Sequence, residues 1–145
     1  MKSVWLMLLL CLTTVSFASE SQDAASVKSE HSEMADKAAA AVVDGHLEAF
    51  NDHDLEVFLT FFHPEIESYK FTGELELQCI EALREAFIQA FTYTPNEVVE
   101  QRIIDGNYVI DKVKVQFNLD GQTMIDRGVV IYTLEDGLIR KMTFL

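Results

Sequence analysis

The sequence predicts an α+β fold in which three N-terminal helices pack into the concave face of a curved, mainly antiparallel sheet. A change of period and a repeated turn signal predict it. Apolar residues recur at helical spacing at Val43, Leu47 and Phe50, and again at Leu55, Phe58, Leu59 and Phe62. From Asn96 onward the period is two, the mark of half-buried strands. Asp105-Gly106, Asp120-Gly121 and Asp136-Gly137 divide that half into four strands, since Asp-Gly supplies the positive φ that tight hairpins need.

Residues 1–18 read as a secretory signal peptide. Met1-Lys2-Ser3 gives a short basic start, Val4 to Val15 an apolar core, and Ser16-Phe17-Ala18 the small residues a signal peptidase reads. The apolar run is too short to span a bilayer, so no stable membrane anchor is expected. The mature chain is expected to start near Ser19 and to be periplasmic or secreted. Cleavage near Ala18 removes Cys11 and Lys2, leaving Cys79 alone and moving the net charge from −13 to −14 by the loss of that one lysine. A single thiol forms no internal disulfide. So acidic a chain excludes nucleic acid and anionic membrane as partners, because both bind through neutralised phosphates. With 145 residues, 49% of them hydrophobic, one domain with its own core is expected.

Residues 19–32 are polar and read as a flexible leader, followed by one domain over 33–145. The first helix is expected to begin between Ser29 and Glu33 and to end at Asn51, burying Val42, Val43, Leu47 and Phe50 with His46 on the stripe's edge. Asn51-Asp52-His53-Asp54 makes a tight corner, and Asp52 and Asp54 are N-cap candidates for the second helix. His63-Pro64 is expected to end that helix, because the residue before proline avoids the α region. A short strand over Glu65 to Phe71, a turn at Thr72-Gly73 and a third helix over Ile80 to Phe91 follow. The four long strands are read at Glu97 to Ile104, Tyr108 to Asn118, Thr123 to Leu134 and Leu138 to Leu145.

Three segments carry a resemblance: Phe50 to Phe58 (FNDHDLEVF), Phe62 to Gly73 (FHPEIESYKFTG) and Ile131 to Arg140 (IYTLEDGLIR). Over Ala39 to Leu145 the chain resembles the nuclear-transport-factor-2-like superfamily, in its SnoaL-like and ketosteroid-isomerase-like branch. The resemblance implies a cone-shaped α+β barrel whose cavity takes a small apolar molecule. That fold hosts isomerases, cyclases, dehydratases and non-catalytic binders. Matching to ketosteroid-isomerase-like relatives places Lys70 where their carboxylate base sits and His46 where their oxyanion-stabilising tyrosine sits. Their protonated carboxylic acid falls at about Gly128, with Asp126 two residues away. None of the three residue types is kept. Cys79 stands where relatives usually have glycine or another small residue.

Strand alternation sorts the remaining polar groups. In Val109 to Phe117 the odd positions are apolar except Asp111, while Lys112, Lys114 and Gln116 face outward. A two-residue turn at Asp120-Gly121 sets Val115 opposite Asp126 and Val113 opposite Gly128, and carries the inner face on through Val130 and Tyr132. A three-residue loop would slip the register by one and bring Arg127 inward instead. Asp111 and Asp126 read either as strand-end and surface charges or as buried carboxyl groups with raised pKa, usable as acid or base. An unpaired charge in an apolar cone is costly, so Lys70 is expected to face the cavity paired with Asp126 or Asp111, or to anchor a ligand carboxylate.

The catalytic candidates are therefore Lys70, Asp126, Asp111 and His46, with Tyr69 and Tyr132 completing the ligand-binding set. His31, His53 and His63 lack metal-ligand spacing, and neither metal nor cofactor is expected. Cys79, at a helix N-terminus, is either an activated thiol or an inert half-buried one.

Three function classes follow. The domain binds a small apolar or weakly acidic molecule, or it performs acid–base chemistry on one, of isomerase, cyclase or dehydratase type. Alternatively it is a non-catalytic homodimeric assembly module, joined through the outer sheet face at Val129 and Ile131.

Overall fold

Helix α1 (Glu20–Asn51) opens the part of the chain that the computed structural model describes, residues 20–145, with side-chain surroundings from residue 29 onward. The expected signal peptide, Cys11 included, lies outside the described residues. α1 starts well ahead of the expected Ser29 to Glu33 and takes in most of the segment read as a leader. The reason is propensity: residues 20–44 contain no Gly or Pro and are rich in Ala, Glu and Lys. Ala39, Val43, His46 and Ala49 form its buried stripe at steps of three and four, flanked by Val42 and Phe50. Gly45 interrupts the helix composition because the Phe61 ring lies against it, where an added Cβ would sit 2.5 Å from the ring edge.

At the corner after α1, His53 takes a left-handed φ of 57°. Asp54 caps helix α2 (Leu55–Leu59), its Oδ1 accepting from the Val57 amide at 3.1 Å. α2 is shorter than expected. Phe62, His63 and Pro64 belong to strand β1 (Phe62–Lys70) rather than to the helix end. Pro64 is tolerated there because the ladder between β1 and its neighbour is interrupted between Phe62 and Glu67, so no ladder bond is lost.

β1 turns into a short edge strand that the period-two reading did not find, β2 (Leu75–Gln78). Helix α3 (Ile80–Ala90) follows as expected, burying Leu83, and ends in a 3-10 turn at Phe91–Tyr93. Cys79 precedes α3 with φ 76° and ψ 158°, a conformation that glycine adopts freely and other residues rarely. Its thiol is half-buried and makes no cap hydrogen bond.

The four long strands are β3 (Asn96–Asp105), β4 (Tyr108–Leu119), β5 (Gln122–Glu135) and β6 (Leu138–Phe144). Asp120 and Gly121 have φ of 51° and 79°, and Asp136 and Gly137 have 52° and 76°, so both pairs form two-residue hairpin turns. In the first hairpin Asp105 stays in the strand, pairs with Tyr108, and leaves Gly106 and Asn107 as the loop. The sheet order is β2-β1-β6-β5-β4-β3, antiparallel except for β1 against β6. It is curved over the helices but open, with β2 and β3 as edges, rather than a closed barrel. Phe58 sits at the centre of the core, its ring 4.5 Å from Phe87 and 4.8 Å from Phe62 between centroids.

Candidate functional site

Register decides which side chains enter the cone. Val115 pairs with Asp126 and Val113 with Gly128, the two-residue-turn register, and Arg127 is outside with the lysines. On β3 a bulge between Val99 and Gln101 inserts Glu100 against consecutive β4 residues Val113 and Lys112. Alternation therefore changes phase: Glu97 and Val99 face inward before the bulge, Arg102 and Ile104 after it.

That phase change creates an ion pair the sequence reading did not contain. Asp111 is 1% exposed and receives Arg102 in a two-pronged contact, Nε to Oδ1 and Nη2 to Oδ2, each 2.7 Å. Arg102 Nη1 reaches on to Asp44 of α1 at 2.5 Å. Together the two carboxylates hold the guanidinium firmly protonated. Asp111 is thus buried, as one reading held, but its partner is Arg102 and not Lys70.

Lys70 is a correction. It lies at the end of β1, half-exposed, and pairs with Glu74 at 3.1 Å and Glu76 at 4.0 Å. The cause is local: the Glu74 carbonyl accepts from the Lys70 amide at 2.9 Å, closing a turn that sets both acids around the lysine. Tyr69 also leaves the cavity set, since its hydroxyl donates to Glu67 Oε2 at 3.1 Å and its ring carries Lys141 4.6 Å from the centroid. Asp126 is exposed and reaches only the cavity rim, its Oδ1 accepting from the Arg127 amide.

Two adjoining cavities occupy the cone. The inner one, about 200 Å³, is lined by His46, Phe50, Phe87, Glu97, Tyr132 and Met142, among others. The outer one, about 300 Å³, runs to the rim at Asp126 and Arg127. They share Glu97, Val115, Val130 and Phe144, which places Glu97 at the boundary of rim and depth. A groove of about 310 Å³ at the other end, between α1 and the hairpin turns, is lined by Ala35, Ala38, Gly106 and Gly137 and holds no comparable chemistry.

Glu97 is the group that sequence reasoning missed. Its Oε1 is buried with no hydrogen-bond partner among the described residues. Burial first, and the Asp111 charge second, push its carboxyl up to about 7. Its backbone is pinned by Asn51 at the end of α1: the amide donates to Asn51 Oδ1 at 2.7 Å, and Asn51 Nδ2 donates to the carbonyl at 2.9 Å. Asn51 thereby covers the edge strand at one residue and fixes the direction in which that side chain leaves. The available signal was parity with Val99, blurred because Val98 beside it is equally apolar.

His46 lines the inner cavity against Tyr132, Phe58 and Phe62, with ring centroids 5.2, 5.4 and 5.5 Å away. Burial lowers its pKa to about 4, against the opposing pull of the Val43 carbonyl, so it is neutral at pH 7. That carbonyl only accepts, so Nδ1, 3.0 Å away, carries the proton and Nε2 is left as an acceptor. Tyr132 is fully enclosed, and burial raises its pKa well above the usual value, so its hydroxyl keeps its proton. The arrangement offers a carboxyl group poised at neutrality, an imidazole acceptor and a phenol within one apolar chamber. No cluster of His, Cys, Asp or Glu with metal-binding geometry occurs among the described residues. No helix among them is long and apolar enough to cross a membrane.

The order of elements, the open curved sheet and the lined cone define a class, the cone-forming α+β domains of nuclear-transport-factor-2 type. Within it the chain belongs to the SnoaL-like domain family, whose sequence model matches residues 43–142. A search of curated proteins gave no match. Among solved structures, the fold is similar to an uncharacterised cystatin-fold protein from Novosphingobium aromaticivorans, at TM-score 0.67 and 16% identity over 74% of this chain and 97% of that one. It is similar to a proposed polyketide cyclase from Xanthomonas campestris pv. campestris, at TM-score 0.63 and 19% identity over 76% and 90%. A Mycobacterium tuberculosis protein in complex with estradiol-17β-hemisuccinate gives TM-score 0.65 and 18% identity over 74% and 92%. At these identities the likeness is one of fold.

Proposed function

We propose that this SnoaL-like domain holds a small, largely apolar molecule in its cone and exchanges a proton with it through Glu97, in chemistry of isomerase, cyclase or dehydratase type. One observation carries the reading: the Glu97 carboxyl at the boundary of the two cavities, its Oε1 without a partner among the described residues and its pKa about 7. A group poised there can give and take a proton at neutral pH. Tyr132 as donor and His46 Nε2 as acceptor supply the further polar contacts that orient a bound oxygen or nitrogen. That a mycobacterial protein of the same fold is in complex with a steroid ester supports a small-molecule ligand for this one.

The test is to extract the purified protein, identify the retained molecule by mass spectrometry, and incubate it with wild type and Glu97→Gln. Conversion by wild type, with at least a hundredfold loss in the variant, is expected. Retention without conversion by either protein would leave a passive binder.

Two further properties belong to the same proposal. The outer sheet face carries an apolar row in register, Ile103 against Ile110 against Ile131, with Ile103 65% exposed, which suits a homodimer contact. Sedimentation should report a dimer at micromolar concentration, and Ile103→Glu should give monomer; a wild-type monomer throughout would remove this contact. The N-terminal residues 1–18 direct export, and intact Met1 on the protein isolated from the cell would refute that.

A further inference from the structure

We propose that the molecule selected by this cone carries an amine, seated as an ammonium group against the carboxylate of Glu97. The inference rests on the reading of the cone as a small-molecule pocket and names the chemistry of its occupant. Among the lining residues of the inner cavity the polar groups are His46, Glu97 and Tyr132, and there is no lysine or arginine. Arg102, the cation that the β3 bulge brings to the inner face, is already engaged by Asp111 on two nitrogens and by Asp44 on the third. At the rim, Arg127 leans out toward Glu100, its Nε 3.5 Å from Oε1. Lys70, the one residue expected to receive a ligand carboxylate, is held outside by Glu74.

A chamber so lined has acceptors to offer and no cation. Glu97 Oε1 is buried and without a partner among the described residues, and His46, its Nδ1 taken by the Val43 carbonyl, lines the same cavity with Nε2 as its acceptor. An ammonium group has three donors and no acceptor, so it can satisfy both. A ligand carboxylate would place a second negative charge beside Glu97, with Asp111 behind it and a chain of net charge −13 around it. An alcohol would gain a neutral hydrogen bond, weaker than a charge-assisted one.

The pairing is linked to protons. The groups facing Glu97 are His46 and Asn51 from α1, Asp111 from β4, Tyr132 from β5 with Asp126 and Arg127 at the rim, and Arg102 on its own strand. Arg102 is held by Asp111 and Asp44, and His46 is neutral above its lowered pKa of about 4. Glu97 is therefore the group that must lose a proton for the ammonium to bind.

The experiment is calorimetric titration of the full chain with 3-phenylpropylamine, 3-phenylpropan-1-ol and 3-phenylpropanoate from pH 5 to 8. At pH 7.5 the amine should bind at least tenfold more tightly than the alcohol, and the acid most weakly. Amine affinity should fall about tenfold per unit as pH drops below 7, with one proton released on binding. Glu97→Gln should bring the amine down to the level of the alcohol. Asp136→Asn, which removes one acid from a turn at the other end, should leave the preference intact. Equal binding of amine and alcohol, or a preference that persists in Glu97→Gln, would overturn the amine assignment and leave the pocket reading standing. Failure of all three probes to bind would overturn both.

Discussion

Arg102→Met is expected to destabilise the protein by about 3–5 kcal/mol, the cost of leaving a buried carboxylate without its counter-charge. Asp111 is 1% exposed and takes both of its strong hydrogen bonds from that guanidinium. Chemical denaturation should show the loss as a lower midpoint with an unchanged slope. Combining Arg102→Met with Asp111→Leu should recover most of it, because an apolar pair of similar size removes the desolvation cost along with the attraction. A single-variant loss under about 1 kcal/mol would mean that the pair behaves like a surface one.

The second large effect is on the pH dependence of stability. Folded Glu97 titrates near 7 instead of its ordinary 4.5. Between those values the unfolded chain has released the proton and the folded chain has kept it, so this group's stabilisation is lost as pH rises through the window. The full swing is on the order of 3 kcal/mol. His46 has the opposite sign. Its folded value is about 4 against 6.5, so the unfolded chain takes up a proton first, and stability is lost as pH falls from 6.5 toward 4. From 4.5 to 6.5 the two offset each other, since both states hold one proton between the two residues. In Glu97→Gln the His46 slope should stand alone, so stability relative to wild type changes steeply across this range. His46→Phe should change it in the opposite direction. Parallel profiles for wild type and both variants, measured by thermal melting, would refute the assignment of these pKa values.

The fold was legible because its signals are local. Asp120-Gly121 and Asp136-Gly137 need only their own φ values to fix two hairpins, and with them the pairing of Val115 with Asp126 and Val113 with Gly128. His46 and Tyr132 were legible as cavity residues from helix and strand periodicity. Lys70 was misplaced because matching to relatives set it inside the cone, whereas here the chain turns at the end of β1 and Glu74 and Glu76 capture the amine. Arg102 was invisible because plain alternation from Val99 would have pointed it outward, and a bulge leaves no fixed sequence mark. Glu97 depends on two long-range facts, the Asn51 clamp and the cavity behind it, neither of which has a local signature.

The bulge in β3 also bears on how this strand can vary in length. Glu100 is one residue beyond what β4 requires, because Val99 pairs with Val113 and Gln101 with the adjacent Lys112. Excising it would rejoin Val99 to Gln101 in unbroken alternation, with Glu97, Val99, Arg102 and Ile104 still pointing inward opposite the same partners. What such a deletion removes is the outer contact of Glu100 with Lys112 and Arg127. The interior is thus buffered against a one-residue loss at this point, so a shorter β3 in another SnoaL-like chain would be compatible with the same chemistry inside the cone.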